Sequence, residues 1–178
     1  LHGMNKDGWK RFSLGGKWNY DIARLGFKYN MTDISASFGI GQLQKLNEWS
    51  KKREDIVKIY NNKFSKIEGI VTPKHIDGKK HAWHLYIIKL IDSSWKIDRD
   101  QVILKLNEKG IGTSVHYTPI HLHSYYAKKY NYKPDDYPNS YHLSKSVISL
   151  PLYPALSDKA IDYIINSFFD IWHKYKND

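Results

Sequence analysis

The sequence predicts an α/β fold, because segments with the composition of β-strands alternate with segments that have one apolar helical face. From Thr32 onward, apolar residues recur at the three- and four-residue spacing of a helix. The segment His81 to Leu90 has the length and apolar content of a strand inside a sheet. Helical spacing returns after Ser157. We therefore expect an α/β lobe from about Lys51 onward, preceded by a segment that belongs to another part of a fold.

The overall composition is that of a globular protein. The 178 residues suffice for one domain with a core, and 41% hydrophobic and 26% charged residues are ordinary values. No apolar run approaches the length of a membrane span, so we expect no membrane partner. The absence of cysteine excludes disulfides, thiolate nucleophiles and cysteine-ligated zinc, and it suits a cytoplasmic protein.

The formal net charge of +10 has two explanations. It predicts either an anionic partner, such as a nucleotide or nucleic acid, or simply a surface of solvated lysines. Acidic residues interrupt the basic ones nearly everywhere, as in KKREDIVK at positions 51–58. This interleaving argues against a track for a phosphate backbone, although a basic nucleic-acid-binding module remains an alternative function.

The first predicted helix is long enough to connect two lobes, with a bend expected near residues 47–50. Thr32 is a suitable N-cap, and Asp33 complements the positive end of the helix dipole. Gly39 and Gly41 weaken a helix, and they indicate close approach of another chain or a ligand. The expected buried stripe consists of Ile34, Phe38, Leu43, Leu46, Ile56, Tyr60 and Phe64.

Three further elements follow from local patterns. Asp98 and Gln101 have the spacing of a capping box, and Gly110 would end the helix that they begin. Residues 111–119 alternate like a second strand. The final helix begins at Ser157, and its expected buried stripe consists of Ile161, Ile164, Ile165, Phe168 and Trp172.

Asn30 is the first candidate site residue. Its amide lies just before the free N–H groups of a helix start, and together these donors could bind a phosphate. An Asn before a capped helix is also ordinary loop chemistry, and Asp33 would repel a phosphate placed too near. Both interpretations stay open from the residues alone.

His116, Tyr117 and His121 form a second candidate site, because they cluster around Pro119 where a predicted strand ends. Strand ends in α/β proteins are where polar side chains meet ligands, but a hydrogen-bonded histidine at a lobe junction explains the pattern equally well. We predict no metal site, since His81 and His84 would point to opposite faces of a strand.

Several linked motifs resemble the DegT/DnrJ/StrS family of sugar aminotransferases, and the resemblance covers essentially the whole chain. The motif GFKYNMTDISASFGIGQLQKLNEW resembles the segment that follows the family's cofactor lysine. The other matching segments, in the same order as in the family, are LHGM at 1–4, HAWHLYIIKL at 81–90, LNEKGIGTSVHYTPIH at 106–121 and SLPLYPALSDKAIDYII at 149–165. The segments HAWHLYII and KGIGT are most similar in sequence to enzymes that aminate C4 of a UDP-linked keto sugar.

The resemblance implies fold type I of the pyridoxal-phosphate enzymes, with a small, mostly antiparallel sheet flanked by helices. Residues 1–50 would be the tail of the large cofactor-binding domain and the start of the interdomain helix, and residues 51–178 the C-terminal small domain. Because the chain begins at Leu1 rather than at Met, we expect it to be the C-terminal portion of a longer protein.

The resemblance also implies a homodimer that shares its cofactor sites, in which Asn30 reaches the pyridoxal 5′-phosphate of the neighbouring subunit. His116, Tyr117 and His121 match residues facing the substrate cleft, and L-glutamate is the expected amino donor. The family's catalytic lysine lies upstream of Leu1, so we expect no catalytic residue here and no activity from this segment alone. Relatives with His in place of that lysine dehydrate the sugar at C3, and this outcome stays open.

Overall fold

The computed structural model describes residues 2–5, 12–15 and 21–177. The helices and strands, in chain order, are α1 (Asp33–Phe64), β1 (Ile70–Val71), β2 (Tyr86–Leu90), α2 (Arg99–Glu108), α3 (Ser124–Tyr130), α4 (Pro138–Ser146), β3 (Val147–Leu150) and α5 (Asp158–Tyr175). The described part of the chain contains no helix that is both long and apolar enough to cross a bilayer. The mixed α/β class is confirmed.

The chain forms two compact units, Leu1–Leu46 and Asn47–Asp178, which divide within α1. α1 is helical throughout, including residues 47–50, where a bend was expected. The predicted boundary between residues 50 and 51 refers to the domains of a larger fold, and it stays a prediction.

The sheet of the second unit has three antiparallel strands in the order β1-β2-β3. This arrangement confirms the small antiparallel sheet implied by the family resemblance. Tyr86, Ile88 and Leu90 of the central strand are buried, whereas Lys89 is exposed, so only one face of β2 is fully covered. The strand is shorter than predicted because Trp83 has a φ of 45°, which no β-strand residue adopts.

The core of the second unit is aromatic and lies between the sheet, α1 and α5. The ring of Phe64 contacts that of Phe168 edge-on at a centroid distance of 5.3 Å, and Trp95 meets Trp172 at 4.8 Å. The indole N–H of Trp95 also donates a hydrogen bond of 2.7 Å to the carbonyl oxygen of Gly69. The predicted stripe of α5 is confirmed, since all five of its residues are buried in this core.

Helix α1 departs from the prediction of one continuous buried stripe. Ile56, Tyr60 and Phe64 are buried, as predicted. In the other half of the helix, Ile34 is 73% exposed and Phe38 is 70% exposed. Apolar residues at helical spacing show that one face of a helix is apolar, but they do not show which element packs against it. The described residues leave this half of α1 exposed.

The second predicted strand, residues 111–119, is wrong as an element. Only Ser114 pairs, through an isolated antiparallel bridge to Ser149 in which each backbone N–H donates to the other residue's carbonyl oxygen. Gly110, at a φ of 75°, and the helical turn Ile120–Leu122 bound the segment closely, so little of it remains in extended pairing. The segment nevertheless runs beside β3, which brings His116 close to Ser149.

The local capping signals are confirmed. The Asp98 carboxylate accepts a hydrogen bond from the Gln101 backbone, and the Gln101 side chain accepts one from the Asp98 backbone. Gly110 follows the end of α2 in the left-handed region, where glycine is favoured. The hydroxyl oxygen of Ser157 accepts from the backbone N–H of Ala160 at the start of α5. Each of these contacts joins residues that are only a few positions apart in the chain, which explains why the sequence predicts them.

Candidate functional site

Asn30 lies in the first unit, in the irregular segment that leads into α1. Helix capping occurs two residues later, where the backbone N–H of Ser35 donates to the Thr32 hydroxyl oxygen at 3.3 Å. The Asn30 side chain is exposed, and no described residue forms a hydrogen bond with it. Thr32 rather than Asn30 therefore satisfies the helix start, and the Asn30 amide stays available to another partner.

The chemistry of this site fits a cofactor phosphate in part. An exposed carboxamide offers N–H donors to phosphate oxygens, and no acceptor among the described residues competes for those of Asn30. Asp33 occupies the first turn of α1 and opposes an anion placed directly on the helix axis. The residues present thus supply one neutral donor, which suits a phosphate site whose remaining donors come from other parts of an assembly.

His116 lies in the second unit, in the segment that pairs with β3. Its Nδ1 atom lies 2.7 Å from the hydroxyl oxygen of Ser149, within hydrogen-bonding distance. Ser149 belongs to β3 and is buried, whereas His116 is half-buried. One edge of the imidazole is therefore held by the sheet, and the ring can present its other nitrogen away from β3.

Tyr117 is the most accessible of the predicted substrate residues, with 72% of its surface exposed. Its ring stands perpendicular to that of His116 at a centroid distance of 4.6 Å, and the peptide bond between them is cis. The two neighbouring rings are therefore in contact with each other.

His121 has a different environment. It is only 6% exposed, and its Nε2 atom is buried without a hydrogen-bond partner among the described residues. Its ring packs 4.8 Å from that of Tyr137 and 6.4 Å from that of Tyr132. Tyr132 forms a side-chain hydrogen bond with Tyr137. This bond and the nearby charge of Tyr137 raise the pKa of Tyr132 above its usual range.

The predicted substrate residues therefore fall into two groups. His116 and Tyr117 form an accessible pair. The buried His121 instead packs against the half-buried Tyr132 and the exposed Tyr137, without a ring or hydrogen-bond contact to His116 in the described chain. The orphaned Nε2 atom of His121 is a polar group that a ligand or water could satisfy. Its contact with substrate stays a prediction.

Sequence reasoning missed Ser149 and the two tyrosines around His121. A serine inside the buried run VISL at 147–150 is a weak signal, because buried serines often bond only to their own backbone. No sequence pattern indicated that Tyr132 and Tyr137 lie together, because a Pro- and Asp-rich turn separates them. The part of the chain that the structure describes contains no group of three or more His, Asp and Glu side chains suited to a metal ion.

Comparison with known proteins identifies relatives along nearly the whole chain. The sequence profile of the DegT/DnrJ/EryC1/StrS aminotransferase family matches residues 1–169. The chain is 42% identical to the spore coat polysaccharide biosynthesis protein SpsC of Bacillus subtilis, over 96% of this chain and 44% of that protein. It is 30% identical to the UDP-4-amino-4-deoxy-L-arabinose–oxoglutarate aminotransferase of Shewanella sediminis, over 96% of this chain and 45% of that protein.

A solved structure supports the same relationship. Spr1654 of Streptococcus pneumoniae, described as a proposed sugar aminotransferase, superposes in its PMP form with a TM-score of 0.80 and 36% identity, over 98% of this chain and 43% of that protein. The same protein has also been solved in its PLP form. The chain spans less than half the length of each of these relatives.

Proposed function

Because this chain belongs to the DegT/DnrJ/EryC1/StrS aminotransferase family, we propose that it is part of an enzyme that aminates a nucleotide-linked sugar. The family match over residues 1–169 carries this proposal. We place the new amino group on a keto carbon, C4, of a UDP-sugar, with L-glutamate as the donor. The name of the Shewanella relative supports a UDP-sugar and C4, and the name of SpsC supports a role in cell-surface polysaccharide synthesis.

The cofactor of this family is pyridoxal 5′-phosphate, and PLP and PMP forms occur among the solved relatives. When bound, the cofactor supplies the carbonyl group that carries nitrogen from the amino donor to the sugar. In our proposal Asn30 donates a hydrogen bond to its phosphate and makes no chemical step itself. Its amide is exposed and has no hydrogen bond to any described residue, which supports this role.

We propose that Asn30 serves the cofactor of a neighbouring subunit in a homodimer. Support comes from residues near Asn30 in the sequence, where large apolar side chains that normally avoid water are exposed: Leu25, Phe27, Tyr29, Met31, Ile34, Phe38 and Leu43. A β-carbon added at Gly39 or Gly41 would meet no atom within 4 Å, so nothing in the described chain requires glycine there. Close approach of a partner would explain both glycines.

On the substrate side, we propose that His116, Tyr117 and His121 contact the nucleotide-sugar. The exposure of Tyr117 and the fixed imidazole of His116 support direct contact. Basic residues of this chain would balance the charge of the UDP diphosphate. We expect the segment alone to be inactive, because the lysine that attaches the cofactor would lie upstream. The cytoplasmic location also stays a prediction.

The decisive experiment uses the complete gene product reconstituted with pyridoxal 5′-phosphate. L-Glutamate should shift the absorbance of the bound cofactor, and a UDP-linked 4-keto sugar should restore it with formation of an amino sugar. D-Glutamate serves as the matched control, because it has the same charge and opposite handedness. No spectral change with any amino donor would refute transamination, and loss of water at C3 of the sugar would indicate the dehydratase alternative.

A further inference from the structure

The bond between His116 and Ser149 determines what the imidazole can offer a ligand. Neutral histidine carries its proton on one of two nitrogens, and the partner of one nitrogen sets the role of the other. The Nδ1 atom of His116 lies 2.7 Å from Ser149 Oγ, so this pair exchanges one hydrogen bond in one of two directions. The direction follows from the surroundings of Ser149.

Ser149 is 5% exposed and lies in β3, paired on one side with Ile87 of β2 and on the other with Ser114. Both of its backbone groups are used in the bridge to Ser114. Among the described residues, its hydroxyl group has His116 Nδ1 as its sole hydrogen-bonding partner. A donating Nδ1–H would leave the buried hydroxyl hydrogen without an acceptor, which buried polar groups rarely tolerate.

The satisfied arrangement is therefore a Ser149 hydroxyl that donates to an unprotonated Nδ1. The proton of the neutral ring then resides on Nε2, and the half-buried imidazole presents an N–H donor away from the sheet. Such a donor matches an oxygen acceptor, and an anionic oxygen is bound more strongly than a neutral one. A nucleotide-sugar carries such oxygens on its diphosphate.

We infer that Ser149 is a positioning residue that holds His116 as an Nε2–H donor toward the diphosphate of the nucleotide-sugar. This inference rests on the proposed function for its ligand, while the tautomer rests only on the geometry. Ser149 makes no contact with the ligand and acts through the ring that it orients. The sequence motif SLPLYP thus contains a residue with a site role in addition to its place in the strand.

The first test reads the tautomer directly in the complete gene product labelled with ¹⁵N-histidine. The His116 signals, assigned by their loss in His116→Asn, should show an unprotonated Nδ1 and a protonated Nε2. In Ser149→Ala the two tautomers should become mixed. A protonated Nδ1 in the wild-type protein would overturn the inference, whatever the enzyme's substrate is.

The second test measures the affinity for UDP by calorimetry, with uridine as the probe that lacks the diphosphate. Ser149→Ala should weaken UDP binding about 3- to 10-fold, because it removes the hydrogen bond that orients the His116 donor. Uridine binding should stay unchanged. Ser149→Thr keeps the hydroxyl group and should bind UDP like wild type. The matched control is Ser146→Ala, which also removes a buried hydroxyl, but one that donates to the backbone of His142.

The outcomes separate the inference from the proposed function. Wild-type affinity for UDP in Ser149→Ala overturns the inference and leaves the proposed function standing. A wild-type protein that binds no UDP refutes the proposed substrate class and the ligand assigned to His116, whereas the imidazole signals still decide the tautomer. Equal loss in Ser149→Ala and Ser146→Ala would indicate general destabilisation and would also overturn the positioning role.

Discussion

The hydroxyl group of Tyr86 donates a hydrogen bond of 2.8 Å to the Oδ1 atom of Asn61, which joins the central strand to helix α1. Next to it, the Tyr60 hydroxyl donates to the carbonyl oxygen of Pro151 at 3.0 Å. The two rings pack at a centroid distance of 4.9 Å, and both residues are fully buried. These bonds attach the long helix to one end of the paired strands β2 and β3, where Tyr86 lies opposite Leu150.

These two tyrosines should make stability fall in alkaline solution. Burial raises the pKa of Tyr60 and of Tyr86 well above the ordinary 10.0, and the nearby Tyr153 and Tyr60 respectively raise it further. When folding raises the pKa of a tyrosine, its contribution to stability is fully present below the pKa of the unfolded state. This contribution is lost as the pH rises above that value. Each tyrosine should cost about 1 kcal/mol of unfolding free energy between pH 10 and 11.

Urea unfolding at a series of pH values checks this prediction. Tyr60→Phe and Tyr86→Phe should each flatten the decline above pH 10, while the exposed Tyr125→Phe serves as the control and should leave its slope unchanged. Equal slopes in wild type and both core variants would contradict the prediction.

Gly69→Ala should destabilise the second unit severely. A β-carbon at this position would overlap the indole ring of Trp172, and it would also crowd Trp95, whose N–H donates to the Gly69 carbonyl oxygen. Overpacking of this kind costs about 1–3 kcal/mol. The matched control is Gly112→Ala, where the added β-carbon meets nothing within 4 Å. Thermal unfolding should separate the two variants. Similar melting temperatures would contradict the prediction, because they would show that the rings of Trp95 and Trp172 move to accommodate the added methyl group.

Asn30→Ala should weaken retention of pyridoxal 5′-phosphate in the complete gene product. Loss of a hydrogen bond to a charged group costs about 1.5–3 kcal/mol, which corresponds to a roughly 10- to 150-fold lower affinity. Equilibrium dialysis against pyridoxal phosphate measures this effect. Asn62→Ala, at an exposed position of α1, is the matched control and should retain cofactor normally. If Asn30→Ala retains cofactor as well as the control does, the phosphate role is refuted.

Gly39→Ala distinguishes an open helix surface from an interface. In the described chain the position is open, so alanine should favour the helix by about 1 kcal/mol. If a partner subunit packs there, the methyl group should instead cost about 1–3 kcal/mol of association, a roughly 5- to 150-fold weaker dimer. We expect the weaker dimer.

Sedimentation of the complete gene product over a range of dilutions measures the dissociation constant. Lys63→Ala, at an exposed position near the end of the same helix, should leave it unchanged. An unaltered dimer combined with a more stable Gly39→Ala protein would place the interface elsewhere.

The features that sequence patterns predicted correctly depend on contacts between near neighbours. The capping box of Asp98 and Gln101 spans three residues, and the left-handed Gly110 ends the same helix. Helical periodicity correctly predicted the buried stripe of α5, and it also predicted the burial of Tyr60 and Phe64. The small antiparallel sheet came from family resemblance, because strand partners are distant in sequence and periodicity does not identify them.

Other features required the folded chain. The bond from Ser149 to His116 joins residues 33 positions apart, and the strand pattern around Trp83 does not reveal its φ of 45°. Apolar periodicity placed Ile34 and Phe38 on one face with Tyr60, yet only Tyr60 is buried in the described chain. Residue order thus determined local conformation and which faces are apolar. Tertiary structure decided which side chains meet, because burial and long-range hydrogen bonds depend on the elements that pack against each face.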